Sequence, residues 1–254
     1  MITLQPRRDI HSVKLLDELF TLLKHNRKID FRPMRMNESK CELFFPFAGE
    51  AGAPLVDQYI NYFGELRLGK LMEDMDAMAG AIAYKHCQHV CSIDNPLTIV
   101  TASVDKIHLL KTLSPSQNLR MTGNVFHVGK SSMQVLIKMT EVSAGGVDGD
   151  NLVEAIFTMV ARDKDQKATA VPSLVLESKE EERLFQIGES ERKKRLSDMA
   201  NSTEKIPPTA EESKVIHDIF IHTRNKIELP SNEIWISDTL LSSTRICNPQ
   251  VLLF

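Results

Sequence analysis

Residues 64–87 read GELRLGKLMEDMDAMAGAIAYKHC, and this stretch constrains the fold more than any other. It holds no proline, and its Leu, Met, Ala, Glu and Lys residues favour helix. At 100° per residue, Leu68, Leu71, Met72, Met75, Met78, Ala79, Ile82 and Ala83 fall on one broad apolar arc. Lys70, Glu73, Asp74 and Lys85 take the opposite side. The spacing predicts a helix packed on a core. One acid breaks the division: Asp76 shares a stripe with Gly69, Met72, Ala79, Gly80, Ala83 and Cys87, inside the apolar arc. An unpartnered carboxylate on a buried face is costly, so it has either partners or a task. A capped or salt-bridged structural aspartate is the plain reading of Asp76, and a functional carboxylate the sharper one.

Around this helix the pattern changes to alternation. Residues 41–47 predict a strand closed by Pro46 and the turn-rich GEAGAP. After the breaker Asp94-Asn95-Pro96 come four strand-like runs. In 98–110, Val100, Ala102 and Val104 oppose Thr101, Ser103 and Asp105. Runs 119–128 and 132–142 flank Gly129-Lys130, and in the second Met133, Val135, Ile137 and Met139 face inward. A Gly145-Gly146 turn leads to 152–162, whose apolar face is Val153, Ala155, Phe157, Met159 and Ala161. One long helix before an antiparallel meander predicts an α+β fold with the sheet wrapped on the helix. Outside this block, 12–25 predicts a short helix and 178–200 a solvated one. Thr209 is placed to cap a further helix running to about Arg224, and 233–246 predicts a strand that starts another unit.

Composition removes several function classes. A net charge of −3 argues against a nucleic-acid binder. No apolar run approaches the roughly 20 residues that cross a bilayer. Cys41, Cys87, Cys91 and Cys247 are too few and too scattered for a disulfide scaffold and fit a reducing interior. The N-terminus has Arg7, Arg8 and Lys14 but also Asp9, Asp17 and Glu18, which makes a poor transit peptide.

Short motifs narrow the chemistry further. GNVFHVGKS has five residues between its glycines where a phosphate loop has four, and it sits between two strands, so a hairpin turn is expected. His86, Cys87, His89 and Cys91 crowd one helix end, whereas structural zinc takes two ligands from each of two segments; no metal is expected. No GxSxG elbow is present, and Cys87 reads as an inert buried thiol. Asp76 remains the catalytic candidate. A carboxylate in apolar surroundings suits general-base work near neutral pH, directing water at a carbonyl carbon while backbone amides hold the oxyanion.

The blocks GELRLGKLMEDMDAMAG, LTIVTASVDKIHLLKTLSP, GNVFHVGKSSMQV, FTMVARD, ESKEEERLF, PTAEES, LPSNEIWI and ICNPQ together resemble the acyl-coenzyme A thioesterases of the double hotdog type, and within them the mitochondrial acyl-CoA thioesterase 9 group. The resemblance runs from about Phe45 to Gln250. It implies a curved antiparallel sheet around a central helix, hydrolysis of fatty acyl-CoA to free acid and CoA, and a mitochondrial location. It implies no cofactor, since CoA is part of the substrate. MDAMAG is similar to the family's helical MDEVAG-type motif, which places the general base on Asp76. VGKSSM and the strand end at Arg162 are similar to segments lining the CoA groove, implying substrate contacts from Val128, Gly129, Lys130, Ser132 and Arg162. The family also uses an asparagine just before the helix, supplied by a second hotdog unit; here FGELRLG holds none, and Asn61 is read as lying too early. Expected domains are an N-terminal extension (1–40), a hotdog unit (41–165), a helical linker (166–230) and the start of a second hotdog (231–254). The expected partners are acyl-CoA and another hotdog unit, through a homo-oligomer or a longer relative. A non-catalytic module that binds acyl-CoA or pairs with a full-length thioesterase is the alternative.

Overall fold

The computed structural model describes residues 30–49, 52–91, 96–143, 145–202, 204–225 and 234–242. The helix expected at 12–25 lies outside them. The chain divides into two compact units, 1–193 and 194–254.

The first unit contains β1 (Met34–Arg35), a 3-10 turn (Met36–Ser39), β2 (Cys41–Phe45), α1 (Ala53–Tyr59), α2 (Leu68–His86), β3 (Thr98–Leu109), β4 (Asn118–Val128), β5 (Ser132–Val142), β6 (Asp148–Arg162) and β7 (Leu174–Val175). It also holds most of α3 (Lys179–Ala200). Five strands form one antiparallel sheet in the order β2-β4-β5-β6-β3, and β1 pairs β7 in parallel. The alternation in β5 and β6 works as expected. Met133 faces Met159, Val135 faces Phe157, Ile137 faces Ala155 and Met139 faces Val153, all buried. This layer closes over Leu71, Met75, Met78 and Ile82 of α2. Each large apolar side chain fully buried there contributes about 1.5–3 kcal/mol. Helix and sheet approach closely at Gly123, where a methyl group would lie 2.9 Å from Ile82 Cδ1 and 2.8 Å from the Leu136 carbonyl oxygen.

Two expectations about faces are corrected. The buried arc of α2 is centred on Leu71, Met75, Met78 and Ile82 and runs on to Ala81 and Asp74, so Asp74 is buried and Asp76 is exposed. In β3, the trio Val100, Ala102 and Val104 is not a buried face. Ile99 is the buried residue, and bulges after Thr101 and Val104 reset which side chains face the helix.

In the second unit, α4 (Ala210–Asn225) starts at the expected cap. Thr209 Oγ1 accepts from Glu212 N–H at 3.2 Å, and Glu212 Oε2 accepts from Thr209 N–H at 2.8 Å. Residues 234–242 hold no strand. Ile236–Thr239 is a 3-10 turn, in which Ser237 Oγ donates to Asp238 Oδ1, a local bond of the kind that competes with sheet pairing.

Candidate active site

Asp76 lies more than two turns into α2, about 12 Å along the axis from Leu68. Its carboxylate meets β3: Thr101 Oγ1 donates to Asp76 Oδ1 at 2.7 Å. On the same side of the helix, a side chain built on Gly69 or Gly80 would meet nothing within 4 Å. Asp76 therefore stands on an open strip of the central helix and not in the apolar core. The strip borders the sheet's edge: among the described residues β3 pairs only with β6, and Val104, Leu109 and Leu110 are exposed.

The buried acid of α2 is Asp74, 6% exposed. Tyr59 O–H donates to Asp74 Oδ2 at 2.8 Å, and the Tyr59 ring packs against Phe45 and Phe47 with centroids 5.8 and 5.1 Å away. Asp74 is thus the satisfied structural carboxylate and Asp76 the available one. The i, i+3, i+4, i+7 register of Leu71, Asp74, Met75 and Met78 is the sequence signal that places Asp74 on the core stripe.

The β4–β5 connection is the expected hairpin, closed by Gly129 N–H donating to the Ser132 carbonyl at 2.8 Å. Ala161 N–H donates to the Ser131 carbonyl at 3.0 Å, and Val171 N–H to the Lys130 carbonyl at 3.2 Å. Val128, Gly129, Lys130 and Ser132 therefore gather with Arg162 at one end of the sheet, with Lys130 and Arg162 exposed. Arg162 pairs with Thr98, three residues or about 10 Å along β3 from Thr101. Arg162 and Thr101, the partner of Asp76, thus belong to the same strand pair, β6–β3.

Before α2, Ile60 and Leu66 form an isolated antiparallel bridge whose tip is the turn 61–65. Asn61, read from sequence as too early, stands at this tip. Its Oδ1 accepts from Phe63 N–H at 2.9 Å and Glu65 N–H at 3.0 Å. Tyr62 and Phe63 project beyond the turn, 97% and 83% exposed.

On the other face of the sheet, α3 packs so closely that Gly188 lies against His127 and Gln134. His127 Nε2 is 3.1 Å from Glu189 Oε2. Arg192, bonded to both oxygens of Glu189, and then His127 hold that carboxyl down at about 2. These contacts fasten α3 beside the hairpin.

The His and Cys group at the end of α2 disperses. His86 Nε2–H donates to the Pro172 carbonyl at 2.8 Å, Cys87 Sγ lies 3.7 Å from Met133 Sδ, and His89 Nε2 is 2.9 Å from Arg32 Nη2. Among the described residues no three His, Cys, Asp or Glu side chains converge as metal ligands. Burial pushes the Cys87 and Cys91 thiols up, away from the reactive thiolate.

Residues 68–143 match the family model of the thioesterase superfamily. The chain is similar to mitochondrial acyl-coenzyme A thioesterase 9 of Bos taurus, 37% identical over 94% of this chain and 56% of the relative. It is also similar to mitochondrial acyl-coenzyme A thioesterase 9 of Homo sapiens, 37% identical over 86% of this chain and 51% of the relative. It spans about half the length of these curated relatives. Among solved structures, an acyl-CoA hydrolase of Staphylococcus aureus, in a variant with one aspartate replaced by alanine, superposes with a TM-score of 0.55 at 25% identity, covering 68% of this chain and 97% of that one. The same enzyme, at 23% identity, has been solved with butyryl coenzyme A and coenzyme A, and in another variant with one asparagine replaced by alanine.

Proposed function

Since this chain belongs to the hotdog-fold acyl-coenzyme A thioesterases, we propose that it hydrolyses acyl-CoA to a free acid and CoA, with Asp76 as general base. The observation that carries this reading is the Thr101–Asp76 bond on the open strip of α2. Thr101 occupies Oδ1, among the described residues nothing bonds Oδ2, and Gly69 and Gly80 leave the same side of the helix open. Asp76 takes a proton from water as the water oxygen attacks the thioester carbonyl carbon. The tetrahedral oxyanion then collapses, the C–S bond breaks, and the proton passes to the leaving sulfur.

The oxyanion donor in this reading is Asn61. Asn61 and Asp76 are fifteen positions apart, the separation of the asparagine and the aspartate exchanged in the Staphylococcus aureus variants. Asn61 sits at the tip before α2 and Asp76 about 12 Å into the helix, with the Asn61 carboxamide engaged within its own turn. A complete site therefore takes the asparagine from a second hotdog unit. The edge of β3, unpaired among the described residues and with Val104 and Leu109 exposed, offers such a unit hydrogen bonds and apolar area. The partner in this reading is another hotdog unit, in a homo-oligomer or in a longer relative.

Val128, Gly129, Lys130, Ser132 and Arg162 receive the CoA moiety: Lys130 and Arg162 meet phosphates, and the hairpin backbone meets pantetheine. CoA enters as part of the substrate, so the reaction calls for no separate cofactor. The proposed hotdog unit is 41–165, followed by a helical linker at 166–230. The mitochondrial names of the relatives support a mitochondrial location. The test is release of CoA thiol from short-, medium- and long-chain acyl-CoA by the wild type and Asp76→Asn. Equal rates for the two proteins remove Asp76 from the mechanism; binding without turnover by the wild type favours the non-catalytic module.

A further inference from the structure

The turn 61–65 holds Asn61 in one orientation. Asn61 N–H donates to the Glu65 carbonyl at 2.8 Å, and Gly64 N–H to the Asn61 carbonyl at 3.0 Å. Gly64 has φ +79°, a conformation that side chains rarely adopt. Within this frame two backbone N–H groups, of Phe63 and Glu65, point at the Asn61 side chain. A carboxamide facing two donors must present its oxygen to them, because the flipped form sets NH2 against N–H. Its nitrogen is thereby turned away from those two N–H groups. Asn61 Nδ2 donates one hydrogen to Glu65 Oε2 at 3.2 Å, and among the described residues the second has no acceptor.

We propose that Glu65 is a positioning residue for the reaction: its carboxylate takes one hydrogen of Asn61 Nδ2 and so aims the other at the thioester carbonyl oxygen of a substrate held by the facing unit. This rests on the reading of Asn61 as the oxyanion donor. Three contacts from Glu65, through its N–H, its carbonyl and its carboxylate, converge on one asparagine. A solvated turn needs only the backbone pair to keep its shape. The carboxylate contact adds nothing to the backbone frame and instead restricts rotation of the carboxamide. Glu65 touches no reacting atom. Its effect passes through Asn61 and is felt in the transition state, where an oxyanion donor has most of its value.

The test uses the full chain with one medium-chain acyl-CoA. Glu65→Ala is expected to lower kcat about tenfold with KM unchanged, since full removal of an oxyanion donor costs about 10²–10³ and here the donor is only loosened. Glu65→Gln keeps an acceptor at the same reach and is expected to recover most of that loss. In an Asn61→Ala background, Glu65→Ala is expected to have no further effect. Thermal unfolding of each variant separates a folding defect from a positioning one. The proposal is overturned by Glu65→Ala at wild-type kcat, by Gln and Ala variants equally impaired, by a rise in KM in place of the fall in kcat, or by full additivity with Asn61→Ala. Wild-type turnover by Asn61→Ala itself strikes instead at the assignment of the oxyanion donor.

Discussion

Thr101 and Asp76 join the edge strand to the central helix through one 2.7 Å hydrogen bond, and that bond fixes the carboxylate on the open side of α2. Thr101 Oγ1 also lies 3.6 Å from Met159 Sδ, so it is braced by the neighbouring strand. Removing the hydroxyl frees the carboxylate to rotate. Thr101→Val is expected to lower kcat about tenfold, the equivalent of one hydrogen bond of about 1–1.5 kcal/mol, while Thr101→Ser retains most activity. Steady-state kinetics on acyl-CoA check it; a Val variant at wild-type kcat would mean that Asp76 needs no such support.

The second acid of the helix predicts the opposite behaviour. Tyr59→Phe takes a donor from a buried carboxylate and is expected to cost about 1–3 kcal/mol of stability. The signature is a lower urea midpoint with turnover unchanged at a temperature where the variant remains folded. If Asp74 served catalysis and Asp76 only structure, the pattern would reverse.

Gly188 packs against the outer face of the sheet, where a methyl group would stand 2.6 Å from Gln134 Oε1 and against His127. Gly188→Ala is expected to push α3 outward and cost about 1–3 kcal/mol. Hydrogen exchange would then rise in α3 and in the hairpin 128–132 before it rises in β5 and β6. Unaltered exchange in α3 would show that the helix accommodates the methyl group without moving.

His86 gives a pH dependence with a definite sign. Burial pulls its pKa below the ordinary 6.5. Its Nε2–H serves the Pro172 carbonyl, and its buried Nδ1 has no partner among the described residues. The unfolded chain binds the proton more readily than the native one, so the contribution of His86 is fully present above about 6.5 and is lost as pH falls. The urea midpoint of the wild type should drop between about pH 7.5 and pH 5.5. His86→Gln should show a flatter profile over that window, and an equal slope in both proteins would assign the effect to other groups.

Much of the first unit is legible in the chain. Residues 133–139 and 153–161 keep their inward-facing alternation because β5 and β6 are interior strands with one face on α2, and the bulges along these spans put the extra residue in β4 or β3. A period of two survives where nothing interrupts it. The hairpin at Gly129 and the cap at Thr209 are equally visible, since each depends on a few adjacent residues. β3 is the counterexample: as an edge strand it carries two bulges, and each bulge swaps the faces downstream, so Val100, Ala102 and Val104 look like a core that they do not make.

The candidate site divides along the same line. Residue types and spacing alone mark α2 as the central helix and show that it carries acids near its apolar arc. Which acid the core takes is decided by distant parts of the chain. Tyr59, fifteen residues before Asp74, brings a hydroxyl down on it, and Thr101, on a strand after the helix, meets Asp76. A helical wheel gives the angle of each side chain but not the identity of what packs at that angle. Asp74 and Asp76 lie on opposite rims of the buried arc, and only the packed sheet and α1 determine which rim is covered. The orientation of Asn61 is likewise set by folding: the Ile60–Leu66 bridge closes the turn before α2 in which its carboxamide oxygen accepts from Phe63 and Glu65 N–H.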